Sequence, residues 1–349
     1  MSLIASKQIN AQGKLAFLRV DLDEDNFDNP RIKVALQVSK ELLKQNPKKL
    51  VICGHRGRPK GKVDKLSMSI FKAFFENEMK RHVEFITYED FPFGNKFSSS
   101  DHQVFLMENL RFWEGETGNA SEFVDNLYSY FSPEIYINEA FASSHREHAS
   151  IFGLPKLIKT KGGQIVFGER FIKEIEMLEK VLNDSSKPSR VYISGIKEDK
   201  LKYIDAFKDK FDEVLVAGRL PDLMGEIDKD PITQRLINSN VVVANLNQDK
   251  EDITIRSIEI FEEAAKGAKT IIVSGPIGKF EDEGQRLGTK RVFTAIANSN
   301  AYKIAGGGDT EEAIKYFKLE NKFDWISTGG GAMLYYLENK TMPGIDVSL

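Results

Sequence analysis

The sequence is poor in cysteine and contains no long apolar run, and each absence excludes a class of protein. Cys53 is the only cysteine among 349 residues, so an internal disulfide is impossible and a reducing compartment is expected. No apolar stretch is long enough to cross a bilayer, and the opening MSLIASKQINAQGK lacks the apolar centre of a signal peptide. We therefore expect a cytoplasmic protein with no membrane partner.

The chain also lacks an excess of charge of either sign. Lysine and arginine number 49 and aspartate and glutamate 52, which gives a formal net charge of −3. A chain this close to neutrality has no global attraction for nucleic acid. Any anion site must therefore be a local cluster of basic residues, and we expect small-molecule partners rather than nucleic acid.

Two common phosphate-binding motifs are missing as well. The sequence contains no GxxxxGK[ST], and no GxGxxG follows the first predicted strand. The second absence argues against a dinucleotide-dependent oxidoreductase, which would also need an acidic residue for the ribose. The segment HREH, which begins at His145, lacks a third ligand pattern and does not predict a zinc site.

Short apolar segments alternate with amphipathic segments along the whole chain. Continuous runs rich in Val and Ile are typical of strands buried on both faces of a parallel sheet. Segments such as RIKVALQVSKELLKQN repeat apolar residues every three or four positions, as surface helices do. We predict an α/β fold of two open parallel-sheet, Rossmann-like domains joined by a long hinge helix. The predicted strands are KLAFLRV, KKLVICG, VEFITY, VFLMENL, EIYINEA and GQIVFG, then RVYISG, EVLVAG, NVVVANL, KTIIVSG, AYKIAG and FDWISTG.

The domain boundary is predicted in GERFIKEIEMLEKVLNDSSKPSR. Its first part has the pattern of a long amphipathic helix, and the turn cluster NDSSKP ends that helix. We predict a first domain over residues 1–168, an interdomain helix over 169–186 and a second domain over 187–326.

Glycine or polar residues follow nearly every predicted strand. In open parallel sheets, ligands bind beyond the carboxyl ends of the strands. We therefore expect function at one edge of each domain. The residues concerned are Arg19 and Asp21, then 54–58, 109–111, 195–197, 275–278, 306–309 and 329–331.

Two glycine runs, AGGGDTEEA and STGGGA, each lie between a predicted strand and a predicted helix. Glycine permits close approach of the backbone, and the free N–H groups at a helix start attract phosphate. Two such runs favour an anion site over simple turn chemistry. An aspartate at a phosphate site needs a cation beside it, and Mg²⁺ is the expected one. Asp309 is therefore predicted to contact a magnesium–nucleotide complex.

Basic residues are also placed at strand ends. The loop GHRGRPKG contains His55 and Arg58, and Lys197 and Lys200 follow a later strand. A single arginine is more often a solvated surface charge, but several at one sheet edge form a fork for a small polyanion. Lysines at such a position neutralise charge on a transferring phosphoryl group. Other arginines near strand or helix ends are Arg19, Arg31, Arg111 and Arg146.

Together these segments resemble the phosphoglycerate kinase family along essentially the whole chain. The matching segments are, in order, FLRVDLDEDNFDNPRI, GHRGRPKG, MENLRFWEGE, NEAFASSHREHAS, GIKEDK, TIIVSGPIGKFE, AGGGDT and STGGGA. The resemblance implies phosphoryl transfer between 1,3-bisphosphoglycerate with ADP and 3-phosphoglycerate with ATP, in glycolysis and gluconeogenesis, by a hinge-bending monomer. It also implies Mg²⁺ and a return of residues 327–349 to the first domain.

The resemblance assigns roles to individual residues. The residues implied to hold the phosphoglycerate are Asp21, Asp23, Arg31, His55, Arg58, Arg111 and Arg146. Those implied to act on the transferring phosphoryl group are Arg31, Lys200 and Gly330. Those implied to bind the nucleotide are Lys197, Lys200, Gly278, Glu281, Gly306, Gly307, Gly308, Asp309 and Thr310. Among these, Glu281 would bind the ribose hydroxyls and Asp309 the Mg²⁺.

The sequence departs from the family pattern at three places, and it is shorter than most members. Asp23 and Ser274 each stand where the family has asparagine, and AGRLPDLM, residues 217–224, lacks the glycine cluster usual there. Most substrate-site residues are retained. We therefore favour an active enzyme over the alternative, a catalytically weak paralogue that binds phosphorylated ligands as a sensor or interaction module.

Overall fold

Two six-stranded sheets form the framework of the computed structural model, which describes residues 3–184, 186–226 and 240–349. Neighbouring strands in both sheets run parallel. Helices connect the strands, so the predicted α/β architecture of two open parallel sheets is confirmed.

The first sheet belongs to a compact unit formed by residues up to Glu176 together with Thr341–Leu349. Its strand order is β3-β4-β2-β1-β5-β6. The strands are β1 Leu15–Val20, β2 Lys49–Cys53, β3 Val83–Ile86, β4 Val104–Met107, β5 Ile135–Glu139 and β6 Gln164–Phe167. The helices, in chain order, are α1 Pro30–Lys44, α2 Ile70–Met79, α3 Lys96–Ser99, α4 Glu114–Thr117, α5 Ser121–Phe131, α6 Leu154–Thr160 and α7 Glu169–Asp184.

The second sheet belongs to a unit formed by Met177–Lys340. Its strand order is β12-β11-β10-β7-β8-β9. The strands are β7 Ser189–Ile193, β8 Glu213–Val216, β9 Val241–Val243, β10 Thr270–Ser274, β11 Tyr302–Gly306 and β12 Trp325–Ser327. The helices are α8 Leu201–Lys208, α9 Leu220–Glu226, α10 Ile255–Gly267, α11 Leu287–Asn298, α12 Gly308–Tyr316 and α13 Gly330–Asn339, and α14 Pro343–Asp346 follows in the first unit.

The strands are mainly apolar because both faces of each sheet are covered. In β1, Leu18 packs into the core on one face of the first sheet, whereas its neighbour Phe17 packs into the core on the other. Side chains alternate between the two faces of a strand, so a strand covered on both faces favours apolar residues at consecutive positions.

Helix α1 shows how the sequence places the helices. Asn29 caps its start, since the side-chain oxygen of Asn29 accepts from the N–H of Arg31 at 2.9 Å. Pro30 occupies the first helical position, where its missing N–H costs no hydrogen bond. Ile32 and Ala35 then pack into the core of the first unit, as the three-residue spacing predicts.

The division between the units falls inside α7, between Glu176 and Met177. The final segment is attached to the first unit by a hydrogen bond from the N–H of Gly344 to the carbonyl of Ser144 at 2.9 Å. The hinge role of the helix stays a prediction. Among the described residues, no helix combines the length and the apolar character needed to cross a membrane.

The strand order fixes where a ligand site is expected in each sheet. In the first sheet, β1 lies between β2 and β5, and in the second, β7 lies between β8 and β10. The chain therefore reverses its direction of winding next to β1 and next to β7. Open α/β sheets bind ligands at the carboxyl ends of the strands that flank such a reversal.

Candidate functional site

A buried arginine anchors the carboxyl edge of the first sheet. Arg19 of β1 donates from Nε to the hydroxyl of Ser150 at 3.0 Å, and its terminal Nη2 lies 2.9 Å from Nδ1 of His55. Ser150 is itself held by Glu116, whose carboxylate accepts from the Ser150 N–H at 2.9 Å and from its hydroxyl at 2.6 Å. This chain of contacts fixes a positive charge beneath the loop that follows β2.

His55 is neutral and presents a hydrogen-bond donor. A guanidinium only donates, so Nδ1 of His55 accepts from Arg19 and Nε2 carries the proton. Burial lowers the pKa of His55 well below its usual value, and the charges of Arg19 and Arg111 lower it further. Nε2 lies 3.9 Å from Oδ2 of Asp23.

Arg111 offers a second donor at the same edge. One terminal nitrogen donates to the carbonyl of Gly57 at 2.6 Å, whereas the buried Nε has no hydrogen-bond partner among the described residues. Burial lowers the pKa of Arg111 to about 10, and the charge of Arg19 contributes to the lowering. Arg111 is thus a cation at neutral pH with an unused donor, and an arriving anion would stabilise it.

The loop after β2 is held on both sides of Gly57. Oδ1 of Asp23 accepts from the N–H of Gly57 at 2.6 Å, opposite the bond from Arg111 to its carbonyl. Gly57 has a φ of 63°, a conformation that favours glycine. The next residue, Arg58, is exposed, and its guanidinium makes no hydrogen bond or ion pair within the part of the chain that the structure describes.

Arg146 belongs to this group, since its positive charge lowers the pKa of both His55 and Arg111. Arg31 instead donates to Oε1 of Glu24 at 3.0 Å. The predicted residues that the structure brings together are therefore Asp23, His55, Arg111 and Arg146, and Arg58 follows Gly57 in the loop that Asp23 and Arg111 hold.

Asp21 ties two segments of the first unit together. Its carboxylate accepts from the N–H of Ala142 at 3.0 Å and from the hydroxyl of Ser143 at 3.1 Å. Both oxygens thus already have a partner in the short turn that follows β5. Its binding of a phosphoglycerate stays a prediction.

Two buried groups at this edge, Glu116 and His148, are not among the residues predicted from the sequence, whereas Arg19 is predicted as one of the arginines near a strand end. Burial lowers the pKa of His148 to about 3, and the charge of Arg111 contributes. In the sequence, His148 stands out only by its spacing of three from His145, which does not predict a zinc site. The sequence feature that could have drawn attention to His148 is its position in NEAFASSHREHAS, one of the segments that resemble the family.

A buried carboxyl, Glu139, ends β5. Its Oε1 accepts from the N–H of Phe171 at 2.8 Å, and its Oε2 has no partner among the described residues. Gly168 lies against it, since a Cβ there would be 1.3 Å from Oε2. Burial raises the pKa of Glu139 to about 8, and the negative charge of Asp21 contributes. Glu139 is therefore largely protonated at neutral pH.

We expect Glu139→Gln to stabilise the protein at pH 8 and to be nearly neutral at pH 5. A carboxyl whose pKa rises on folding binds its proton better in the folded state, so its contribution to stability is complete below the unfolded pKa of about 4.3. That contribution is lost as the pH rises from there to about 8. Glutamine mimics the protonated acid and has no such loss. Urea unfolding at pH 5, 6.5 and 8 measures the difference.

Glu122→Gln, an exposed change on α5, is the control and should show no pH-dependent difference. The prediction would be contradicted if the difference in free energy of unfolding between the wild type and Glu139→Gln were the same at all three pH values.

At the second sheet, Lys200 lies at the reversal between β7 and β10. Its ammonium donates to the carbonyl of Ser194 at 2.6 Å and to the carbonyl of Ser274 at 3.0 Å. Burial lowers the pKa of Lys200 to about 8, while the negative charge of Asp309 acts against the lowering. An ammonium has three donors, so one remains for a ligand.

Glycine turns allow the lysine to reach this position. Gly195 and Gly275 have φ values of 126° and 105°, which side-chain-bearing residues rarely adopt. A Cβ on Gly275 would lie 2.0 Å from the carbonyl oxygen of Ser194. The hydroxyl of Thr310 completes the arrangement: it accepts from the N–H of Gly275 at 2.8 Å and donates to the carbonyl of Gly306 at 2.9 Å.

The two glycine runs pack against each other. A Cβ on Gly330 would lie 2.8 Å from the carbonyl oxygen of Gly306 and 2.9 Å from Cα of Gly307. Gly307 also has a φ of 110°. At Gly308, the first residue of α12, a Cβ would meet no atom of the described residues within 4 Å. Gly306, Gly307 and Gly330 thus serve close packing, whereas Gly308 leaves the helix start open.

The remaining predicted nucleotide residues differ in accessibility. Lys197, Glu281 and Asp309 are exposed, and the Asp309 carboxylate makes no hydrogen bond within the described part of the chain. Gly278 is buried, and its N–H and carbonyl are both bonded to the hydroxyl of Thr289, at 2.8 and 2.9 Å. Its contact with a nucleotide stays a prediction.

Asp309 suits a magnesium ion bound with a nucleotide. Mg²⁺ in such sites takes one or two carboxylates together with phosphate oxygens and water. Among the described residues the Asp309 carboxylate has no hydrogen-bond partner, and it lies next to the helix start at Gly308 and within electrostatic reach of Lys200. The donor set therefore fits the ion that the sequence implies.

Comparison with known proteins finds one family that matches most of the chain. A family model described as "Phosphoglycerate kinase" matches residues 6–250 and 227–340. The protein of that name from Bdellovibrio bacteriovorus is 32% identical, with 96% of this chain and 94% of the relative covered. The protein of that name from Akkermansia muciniphila is 30% identical, with 99% of this chain and 97% of the relative covered.

Solved structures share the fold. The phosphoglycerate kinase from Coxiella burnetii superposes with a TM-score of 0.79 at 24% identity, over 99% of both chains. That from Pyrococcus horikoshii superposes with a TM-score of 0.80 at 24% identity, over 99% of this chain and 98% of the other.

Proposed function

The chain belongs to the phosphoglycerate kinase family, and from that premise we propose that it transfers a phosphoryl group between ATP and 3-phosphoglycerate. It is a kinase that acts on small molecules. In the forward direction, a carboxylate oxygen of 3-phosphoglycerate attacks the γ-phosphorus of ATP, and the bond from that phosphorus to the β–γ bridging oxygen breaks. The products are 1,3-bisphosphoglycerate and ADP, and the reverse reaction makes ATP.

The basic edge of the first sheet is proposed to hold the phosphoglycerate. Arg111 has an unused buried donor, Arg58 an unpaired guanidinium among the described residues, and His55 a donor without charge. A substrate with a phosphate and a carboxylate needs several hydrogen-bond donors close together, with few negatively charged groups of the protein beside them. Arg31, Asp21 and Asp23 are proposed to complete the site.

The glycine edge of the second sheet is proposed to hold the nucleotide. Gly308 leaves a helix N-terminus open to phosphate, and Lys197 and Lys200 lie in the segment that follows β7, a strand flanking the reversal. Asp309 would hold Mg²⁺, which when bound neutralises charge on the β- and γ-phosphates. Gly278 and Thr310 are proposed to shape this site, and Glu281 is proposed to bind the ribose hydroxyls.

The position of Lys200 is the observation that carries the proposal. Its ammonium is fixed by two carbonyls at the reversal of the sheet, with its pKa lowered by burial to about 8. A charge developing on the transferred phosphoryl oxygens would stabilise this ammonium, and the ammonium would stabilise that charge in return. Arg31 and Gly330 are proposed to assist at the same phosphoryl group.

We also propose a cytoplasmic monomer in which α7 acts as a hinge. Small-angle scattering tests the hinge, since closure on both ligands should reduce the radius of gyration relative to the free protein. An unchanged radius would contradict it.

The activity itself is tested by incubating the protein with ATP, Mg²⁺ and 3-phosphoglycerate, and by trapping the acyl phosphate with hydroxylamine. Hydroxamate should form only when all three are present. Saturable binding of 3-phosphoglycerate without hydroxamate would overturn the proposal and favour the sensor alternative.

Arg58→Ala is expected to raise the KM for 3-phosphoglycerate about tenfold or more and to leave the KM for ATP unchanged. The guanidinium is exposed and unpaired among the described residues, so its loss breaks no internal contact. A hydrogen bond between charged groups is worth about 1.5–3 kcal/mol. Initial rates with each substrate varied in turn measure both constants.

Asp23→Asn removes a negative charge from the same site and is expected to have the opposite effect to Arg58→Ala. It should lower the KM for 3-phosphoglycerate severalfold. The amide oxygen still accepts from Gly57, but the negative charge beside an anionic substrate is gone. Two unit charges about 4 Å apart interact by roughly 1 kcal/mol in water and about 4 at an effective dielectric of 20. If the KM for 3-phosphoglycerate changed in the same direction in both variants, the proposal that this site recognises the charge of the substrate would be contradicted.

A further inference from the structure

Three potential metal ligands converge at the start of the edge strand β3. Nε2 of His82 and Nε2 of His102 each lie 3.5 Å from Oε2 of Glu84. The two imidazole rings have centroids 4.1 Å apart, and the three ligand atoms all lie within 4.8 Å of one another. A tetrahedral zinc ion with bonds of about 2.0–2.1 Å separates its ligands by about 3.3 Å. The spacing therefore fits one shared ion.

The pairing of the strands brings these residues together from separate parts of the chain. Val83 of β3 pairs with Val104 of β4 in a parallel register. His82 and His102 precede these two residues, so both lie where their strands begin, and Glu84 follows in β3. The group rests on paired strands rather than on a loop alone.

The neighbouring residues orient the group. Oε1 of Glu76 lies 3.0 Å from Nδ1 of His82 and also accepts from the N–H of Val83 at 3.1 Å. A carboxylate on Nδ1 directs the lone pair of Nε2 toward a metal, as in many histidine sites. Lys96 lies 3.4 Å from Oε1 of Glu84, which leaves Oε2 facing the two histidines.

We propose that His82, Glu84 and His102 form a binding site for Zn²⁺ or a divalent transition-metal ion of similar chemistry. Two imidazoles and one carboxylate are typical zinc ligands, whereas Mg²⁺ and Ca²⁺ prefer oxygen. The two histidine side chains are 46% and 48% exposed, so an ion reaches the site directly from solvent. Water takes the fourth position.

The location separates this ion from catalysis. The group lies where β3 and β4 begin, whereas the proposed phosphoglycerate site lies where the strands of the same sheet end. A bound ion would join the edge strand to the segment before β4. It should therefore raise the thermal stability of the protein and leave kcat unchanged.

The competing interpretation is an ion-pair cluster without metal, with each protonated histidine facing a carboxylate. Calorimetric titration with ZnCl₂ in excess Mg²⁺, on the full chain without an affinity tag, separates the two. We expect one Zn²⁺ per chain at this site and a Tm that rises with zinc concentration. Cobalt substitution should give the visible absorption of a tetrahedral complex.

The variants locate the ion. His102→Gln and Glu84→Gln should each abolish this binding event and the rise in Tm, and Glu76→Gln should weaken it about tenfold or more by releasing His82. Glu89→Gln, an exposed acid of the following turn that pairs with Lys62, is the control. A wild type that binds no zinc, or variants that bind it as the wild type does, would overturn the proposal.

Discussion

Replacement of Lys200 by methionine is expected to lower kcat by about a hundred- to a thousandfold, the usual cost of removing one donor aimed at charge that develops in a transition state. The ammonium is fixed by the carbonyls of Ser194 and Ser274, so it needs no rearrangement when the charge appears. Its contact strengthens during transfer, so the KM for ATP should change much less than kcat. Steady-state rates measured over a range of ATP concentrations, up to saturation, give both kcat and the KM for ATP.

Lys202→Met is the matched control, because Lys202 is exposed on α8 only two residues away. It should keep the wild-type kcat, and the thermal midpoints of both variants should show that each is folded. A folded Lys200→Met protein with at least a tenth of the wild-type kcat would contradict the assigned role.

The same lysine predicts a pH dependence. Burial lowers the pKa of Lys200 to about 8, so the free enzyme loses this charge as the pH rises through that value. The value of kcat/KM for ATP should therefore decline above pH 8. A bound phosphate stabilises the ammonium and raises its pKa, so kcat should hold to higher pH.

The strands were predictable because burial on both faces selects short continuous runs rich in Val and Ile, which are easy to recognise in the sequence. Eleven of the twelve predicted segments contain a whole observed strand, including the three-residue β9 and β12, and the other, RVYISG, begins one residue after β7 does. Strand ends were less predictable. VFLMENL continues past its strand, since Glu108 leaves the sheet to accept from the N–H of Met68 at 2.8 Å. That partner is forty residues away, so local pattern does not reveal it.

The sequence identified residue types at the site but not which of them were already engaged. Asp21 and Gly278 stand in family motifs, yet the structure gives their polar groups internal partners in Ser143 and Thr289. Arg58 and Asp309 have the same kind of motif evidence and are exposed and unpaired among the described residues. Only the three-dimensional contacts separate a polar residue that shapes a loop from one that remains available to a ligand.

The histidine group on β3 shows the opposite case, in which contacts exist without a motif. His82 and Glu84 are two apart, but His102 comes from the segment before the next strand. Its proximity follows from the parallel register of Val83 and Val104. Register between strands is a long-range property, so the linear sequence gives no signal for this group.

Gly330→Ala is expected to destabilise the protein by about 1–3 kcal/mol and to impair nucleotide binding, because overpacking displaces neighbouring atoms. The new Cβ would meet the carbonyl oxygen of Gly306 at 2.8 Å and Cα of Gly307 at 2.9 Å. Both are backbone atoms, which cannot rotate away as a side chain does. Urea unfolding and the KM for ATP measure the two effects.

Gly308→Ala is expected to separate packing from binding, since it should stabilise the protein slightly and yet raise the KM for ATP about tenfold or more. A Cβ at Gly308 meets no atom within 4 Å in the described part of the chain. Alanine in place of glycine near a helix start stabilises a protein by about 0.4–1 kcal/mol, because it reduces the conformational entropy of the unfolded chain. The same methyl group would occupy the space through which a phosphate approaches the helix N-terminus. A more stable Gly308→Ala protein with an unchanged KM for ATP would show that the glycine run serves packing alone.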